Sequence, residues 1–451
     1  MIRALILSSS VLVLAGCASF GPPPAQTLAT GADMSLPDQF DYARTVDGLR
    51  APEAAWWAGF ESAGLDALVA DALGANQSLA QGVSNVDASR AALRVAGASF
   101  LPQASAGLSG GSDTNAGLDD LSATGRLSAS YQLDLFGANA ASREAALASL
   151  DAAIFQQRAL ELTVQSDVAS TWFGLLSSRE QLDVARRNLE ISEHVFQIVE
   201  VRYEAGAISG FDVSAQSAQL ANARARIPQL EAQITGLETA LAILLGEAPQ
   251  GFAAPQMDLL AIALPEADPG LPADLLLRRP DLLQAEANLR GADANIAAAR
   301  AAFMPGIDLG AGLSSLLTGG GNLVGSLSAS VAAPIFSGGR LEGQLDAAEA
   351  RRMGQLAGYR QAVLNALRDV DVSLSTIAAT AAREQQLLIA RDAAGEALAA
   401  AELRYRSGAG DLTSLLTAQQ TYFDASNNYV LGRLDRLTAA INLYVALGGG
   451  Y

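Results

Sequence analysis

Val201-Arg202-Tyr203-Glu204-Ala205-Gly206 and Leu403-Arg404-Tyr405-Arg406-Ser407-Gly408 decide how this chain folds. Each ends a long run of helical periodicity, and each is followed at once by another. Glycine takes the left-handed backbone position that stops a helix, and the arginine ahead of it complements the negative end of the helix dipole. The restarts are written in the next residues. Ser209-Gly210-Phe211-Asp212 has the form of a capping box, and Asp411 can cap the second restart alone. The chain is expected to make a long helix, reverse and return, and to do so twice.

The stretches around these turns repeat in the same order. From Leu65 to Phe100 the pattern is helical, and Pro102 ends it. The period then changes to two. Leu127, Ala129, Tyr131, Leu133 and Leu135 alternate with Arg126, Ser128, Ser130, Gln132 and Asp134. One face is apolar and the other polar, as in a strand between lipid and water. Ala104 to Ser112 is a weaker partner strand, with a polar loop, 113–121, between the two. Asn139 to Tyr203 is proline-free and helical; about 65 residues at 1.5 Å each would reach roughly 100 Å. Phe211 to Leu245 returns, with a kink expected at Pro228. The second half runs likewise: a helix from Ala273 to Phe303, alternation at Ile307 to Ser314 and again at Leu327 to Pro334, a helix from Leu341 to Tyr405, and a return from Leu412 to Leu447. Pro102 and Pro305 lie 203 positions apart, Phe136 and Phe336 lie 200 apart, and Arg202 and Arg404 lie 202 apart. Three unlike landmarks in one order and at nearly one spacing indicate a tandem duplication.

The chain has 451 residues, of which 50% are apolar and only 6% aromatic, so its helices must pack through small side chains. A net charge of −18 argues against nucleic acid, whose phosphates require a basic surface. The single cysteine, Cys17, rules out an intrachain disulfide. It follows a basic start, an apolar run from Ala4 to Leu14 too short to span a bilayer, and Leu14-Ala15-Gly16. This resembles a bacterial lipobox, which implies cleavage before Cys17 and acylation of its new N-terminus. Ala18 in place of aspartate is compatible with sorting to the outer membrane. The expected organisation is a signal peptide at 1–16, a lipidated tether at 17–63 pinned by Trp56-Trp57, repeats at 64–246 and 273–447, a linker at 247–272 and a tail at 448–451.

Four membrane-type strands cannot close a barrel, and lipid does not tolerate an open sheet edge. Copies of the chain must therefore share one. Two copies give eight strands, a size that side chains fill; three give twelve, enough for a lumen, which the Ser- and Gly-rich polar faces favour. The expected fold class is mainly α with a membrane β-barrel.

Trp56-Trp57 followed by Leu65-Asp66-Ala67-Leu68-Val69, the run Leu271-Pro272-Ala273-Asp274-Leu275-Leu276-Leu277-Arg278-Arg279-Pro280-Asp281, and the two Arg-Tyr-x-x-Gly turns together resemble the TolC-like outer-membrane efflux channels, in particular the lipoprotein branch that serves resistance-nodulation-division pumps. The resemblance covers nearly everything beyond residue 50. It implies a homotrimer with a twelve-stranded barrel and a long α-helical coiled-coil periplasmic barrel. It also implies an inner-membrane pump and a periplasmic adaptor (membrane fusion) protein as partners, with no catalytic residues, cofactor or metal. Arg202, Tyr203, Gly206, Arg404, Tyr405 and Gly408 would then form the periplasmic tip and its adaptor-docking surface, although capping alone accounts for the arginines and glycines. Asp212 and Asp411 are candidates for an acidic gate, with helix capping as the plainer role. Some relatives carry an acid where Thr417 stands and an apolar residue where Thr413 stands, so those positions are not carried over. His194, the one histidine, has no second ligand near it in sequence and is read as structural. Arg278, Arg279 and Asp281 are expected to cap and pair at a helix start, and the acids scattered on the long helices to be solvated.

The leading function is a passive export duct for drugs or other small molecules. Type I protein secretion or metal-ion efflux would use the same architecture, though five methionines speak against copper handling. A periplasmic coiled-coil scaffold would need no alternating strands. No Ser-His-Asp set, metal cluster or phosphate loop suggests an enzyme. The lipobox reading is checked by acyl labelling: Cys17→Ser is expected to incorporate no fatty acid, and labelling equal to the parent's would end that reading.

Overall fold

In the computed structural model, residues 36–37, 39–40, 55–111, 122–265, 270, 272–317 and 322–449 are described. The lipobox with Cys17, the loop at 113–121 and the Gly319-Gly320-Gly321 turn lie outside them. The elements are α1 (Ala63–Ala75), α2 (Gln77–Ala98), β1 (Gln103–Gly111), β2 (Ser122–Leu133), α3 (Ala138–Glu204), α4 (Gly210–Leu244), the single turn α5 (Leu275–Arg278), α6 (Pro280–Ala301), β3 (Gly306–Leu316), β4 (Leu323–Ala332), α7 (Arg340–Arg406) and α8 (Leu412–Ala446). The halves match element for element: α3 and α7 each have 67 residues, α4 and α8 each 35. No helix among the described residues is long and apolar enough to cross a membrane.

Two expected helices are broken. The run from Leu65 to Phe100 divides at Asn76, which is extended (ψ 125°). Its Oδ1 accepts the Ser78 and Leu79 N–H groups at 2.9 and 3.1 Å, capping α2, while its Nδ2 donates to the Leu244 carbonyl at 2.8 Å. A polar side chain that can do both holds the break. The run from Ala273 to Phe303 divides at Arg279, whose extended backbone (ψ 119°) is what the following Pro280 demands. Helix α4, by contrast, runs through Pro228 without ending. The linker is irregular, with a 3-10 turn at Leu259–Ala261.

The chain divides into two compact units. One comprises residues 84–156 and 281–362 of the described chain. Its centre is a four-stranded antiparallel sheet in the order β1-β2-β3-β4. The middle pairing, β2 with β3, joins the two repeats, with Leu127 opposite Leu313 and Tyr131 opposite Leu309. The register is unbroken across all strands. Ala106, Leu127, Leu313 and Gly325 therefore lie in one row, and the neighbouring row is Ser105, Ser128, Gly312 and Ser326. One face is apolar except at Ser315, and the other is dominated by Ser and Gly. Leu108, Val331 and Leu327 on the apolar face are 75%, 69% and 88% exposed, so that face meets no core among the described residues. On the polar face the Ser105 and Ser128 hydroxyls are 2.8 Å apart, and Gly310 and Gly312 leave room for Ser328 and Ser326. β1 and β4 each pair on one side only among the described residues. Strand passes to helix at Asp134, whose carboxylate accepts the Asn139 and Ala140 N–H groups at 3.1 and 2.8 Å and so caps α3. Helix α6 is tied to α3 by Arg290–Asp151 (2.9 Å) and to α7 by Arg352–Asp293 (2.5 Å).

The other unit comprises residues 36–83, 157–280 and 363–451. Its core holds Trp172, Phe173, Leu175, Leu176 and Leu241, all buried. The 3-10 turn at Trp56–Phe60 docks on it as the sequence suggests: Trp56 is 2% exposed, stacks on Tyr444 (centroids 5.5 Å apart) and donates Nε1–H to Gln165 at 3.0 Å. Phe60 meets Phe173 edge-on at 5.1 Å. Two arginines hold the linker. Arg179 donates to the Pro255 and Ala254 carbonyls and pairs with Glu238. Arg433 donates to the Leu260 and Ile262 carbonyls and, with Arg436, pairs with Glu384. Glu384 is buried, which corrects the expectation that acids on the long helices are solvated. Arg279 donates to the Ala446 carbonyl and pairs with Asp369, in keeping with a pairing role.

Removing a buried tryptophan from a packed core costs about 3–5 kcal/mol. Trp56→Ala is expected to lower stability by that order, and Trp57→Ala, whose ring is half-buried, by much less. Denaturant unfolding followed by helical circular dichroism measures both.

Candidate functional site

The two helix turns come together in the second unit. Val195 and Val199 of α3, Leu398 and Tyr405 of α7, and Leu412 and Leu415 of α8 form one buried cluster, with Ile208 and Val213 packed against it. The turns share one backbone solution. At the first, Gly206 has φ +71°, its N–H donates to the Tyr203 carbonyl and the Ala207 N–H to that of Arg202. At the second, Gly408 has φ +75°, its N–H donates to Tyr405 and the Ala409 N–H to Arg404. This pair of bonds is the Schellman termination, and a Cβ at either glycine would strain it.

The restarts are also one solution, with the partners exchanged. At α4, Ser209 precedes the helix and Asp212 sits three residues on; the Asp212 carboxylate accepts the Ser209 N–H and hydroxyl, each at 2.9 Å. At α8, Asp411 precedes the helix and Ser414 sits three residues on; the Asp411 carboxylate accepts the Ser414 N–H and hydroxyl, each at 2.8 Å. These bonds, with those from backbone groups at the helix start, hold the Asp411 carboxyl below its ordinary value of 3.8. Both acids are engaged as caps, as the plainer reading expects.

The side chains of the two motifs part company. Tyr203 is 51% exposed and Tyr405 is 2% exposed. Arg202 crosses from the first motif to the second: its Nη1 donates to the Tyr405 carbonyl at 3.1 Å, and its guanidinium lies 4.7 Å from the centre of the Tyr405 ring. Burial raises the Tyr405 hydroxyl above its ordinary value of 10.0, the Arg202 charge opposes that shift, and Asp212 adds to it. Arg202 and Tyr405 thus lock one hairpin to the other, while Tyr203 and Arg404 remain on the surface.

Sequence reasoning missed two features here. Gln216 of α4 and Gln419 of α8, both fully buried, converge on Ser192 of α3. Gln216 donates to the Ser192 carbonyl at 2.9 Å, and Gln419 to its hydroxyl at 2.5 Å and to Asn188 Oδ1 at 3.3 Å. Gln216 and Gln419 lie 203 positions apart, so the duplication was the signal that could have found them. The second is the contact of His194, read from sequence as structural: its Nδ1 faces Arg406 Nη2 at 3.2 Å. It is exposed, and no group of three His, Cys, Asp or Glu among the described residues could hold a metal.

With this geometry in view, comparison with known proteins is informative. Residues 68–247 and 271–449 each match the model of a family described as outer membrane efflux protein. The pyoverdine export outer membrane protein OpmQ of Pseudomonas aeruginosa is 36% identical, over 100% of this chain and 97% of its own. The toluene efflux pump outer membrane protein TtgF of Pseudomonas putida is 33% identical, over 98% and 95%. Among solved structures, the open state of the outer membrane channel MtrE of Neisseria gonorrhoeae superposes with a TM-score of 0.82 at 29% identity, covering 92% of this chain and 96% of that one.

The capped carboxylate makes an acid-dependent prediction. A carboxyl whose folded value is depressed contributes stability that is present above the unfolded value and is lost as pH falls through the folded one. The start of α8 should therefore fray below the ordinary value of 3.8. Asp411→Asn, which accepts from Ser414 at any pH, should not show this loss. Hydrogen exchange of the Leu412 to Leu415 amides, parent against variant, reads the difference.

Proposed function

The chain belongs to the outer membrane efflux protein family, and from that premise we propose that three copies form the outer-membrane duct of a tripartite efflux system. Drugs or other small molecules would pass through it without chemistry, driven by an inner-membrane resistance-nodulation-division pump and delivered through a periplasmic adaptor. The observation that carries this is the sheet. It has one apolar face exposed to its surroundings, one Ser- and Gly-rich face, and two outer strands that pair on one side only among the described residues. In lipid those outer strands require partners. Pairing β4 of one copy with β1 of the next satisfies them and closes a ring of twelve.

The remaining assignments follow from that placement. Acylated Cys17 tethers the chain to the membrane it spans. The helix turns form the periplasmic tip. Arg202, Tyr203, Gly206, Arg404 and Gly408 supply its docking surface, and buried Tyr405 contributes through packing. Asp212 and Asp411 close the end as a ring of fixed acids. Capping sets where each carboxylate points, so cap and gate are compatible roles.

Conductance in planar bilayers separates them. Asp411→Asn keeps the cap and removes the charge; Asp411→Ala removes both. A gate of charge predicts that both variants raise conductance and weaken cation preference. If only the alanine variant changes, capping is the sufficient account. The duct itself predicts a heat-modifiable trimer in detergent, and a protein that stays monomeric and passes no current would overturn it.

A further inference from the structure

The described strands carry two charged side chains, Arg126 in β2 and Asp308 in β3. Both fall on the polar face. Arg126 stands in the row Gly107, Arg126, Ser314, Val324; Asp308 stands opposite Gln132 and Ser330. Their heights differ. Arg126 is near the loop end of β2, which begins at Ser122, and Asp308 is near the helix end of β3, which begins at Gly306. The register puts Asp308 level with Gln132, six residues along from Arg126. At about 3.4 Å per residue the two charges are roughly 20 Å apart along the sheet.

We infer that Arg126 is a specificity-determining residue of the duct: three copies form a positive ring in the outer part of the barrel that favours anionic over cationic solutes there. The inference rests on the duct reading. Three features support it. Gly107 and Ser314 flank the arginine, so nothing on the neighbouring strands shields it laterally. Its side chain is exposed, and no ion pair or hydrogen bond of its guanidinium occurs among the described residues. Asp308 does not cancel it, because two unit charges in water at about 0.1 M salt are screened over roughly 10 Å, half their separation. A ring of charged side chains at one level of a pore selects by its local field. The duct therefore has two opposite zones in series, with Asp308 on the helix side and Arg126 on the exit side. In a chain of net charge −18 the exit ring is the exception.

The proposed acidic gate would dominate a measurement on the parent, so the test uses the full-length protein carrying Asp212→Ala and Asp411→Ala. Reversal potentials are read in planar bilayers across a KCl gradient near 0.1 M. Adding Arg126→Gln should shift the potential toward that of potassium, Arg126→Glu should shift it further, and Asp308→Asn should shift it the opposite way. All three shifts should collapse near 1 M salt, where screening falls to about 3 Å. Conducting channels whose selectivity is the same with Arg126, Gln or Glu would overturn the inference and leave the duct intact. Neutralisation of Arg126 by an acid of the 113–121 loop would give that same result. Absence of current in every variant and in the parent would instead remove the duct reading, and this inference with it.

Discussion

A strand in hydrocarbon must have a neighbour on each side, because lipid offers no partner for a free N–H or carbonyl. That requirement shapes this chain more than any side-chain contact. Each repeat supplies one hairpin of two strands. The hairpins pair through β2 and β3, so the duplication yields one sheet and not two domains. The sheet still ends in outer strands, and among the described residues its apolar face has no core to rest on. What would be an aggregation hazard in water is an assembly instruction in a membrane. Repetition inside the chain and repetition of the chain are two steps of one closure.

Away from the sheet the duplication is kept in the backbone and relaxed in the side chains. Four helix ends show it. Gly206 and Gly408 terminate α3 and α7, and Gly246 and Gly448 terminate α4 and α8 with the same pair of bonds. The Ser–Asp couples at the two restarts keep their hydrogen bonds while exchanging which residue is the acid. Buried contacts diverge: Arg202 embraces Tyr405, yet the matching Arg404 and Tyr203 stay exposed. One tyrosine takes the core and the other is left for the surface.

Local chemistry made much of this legible in the sequence. Glycine in the left-handed position, an acid three residues from a serine, and period-two alternation each act within a few residues, and each was read close to where it occurs. Strand β2 starts at Ser122, before the alternation becomes clear at Arg126, because Gly125 and Ala123 say little about facing. The break at Asn76 was missed because asparagine inside a helical pattern carries no obligation; its second bond goes to Leu244, 168 residues away. The same holds for Glu384, an ordinary helix-surface acid until Arg433 and Arg436 arrive from α8. The polar convergence on Ser192 needs three helices at once. Residues whose partners are distant in sequence were read by type, and type gave the bland answer.

The capping role of Asp411 is compatible with the gate role proposed for it. A carboxylate that accepts an N–H and a hydroxyl is held ionised, since protonating it would forfeit those bonds; at Asp411 this lowers the carboxyl below its ordinary value. The cap therefore does two things a gate needs. It favours the charged form, and it fixes the carboxylate against Ser414 at the start of the helix. A free acid on a loop would provide neither. In the proposed gate three Asp411 carboxylates would repel one another, and the bonds from Ser414 are what would hold them ionised against that repulsion.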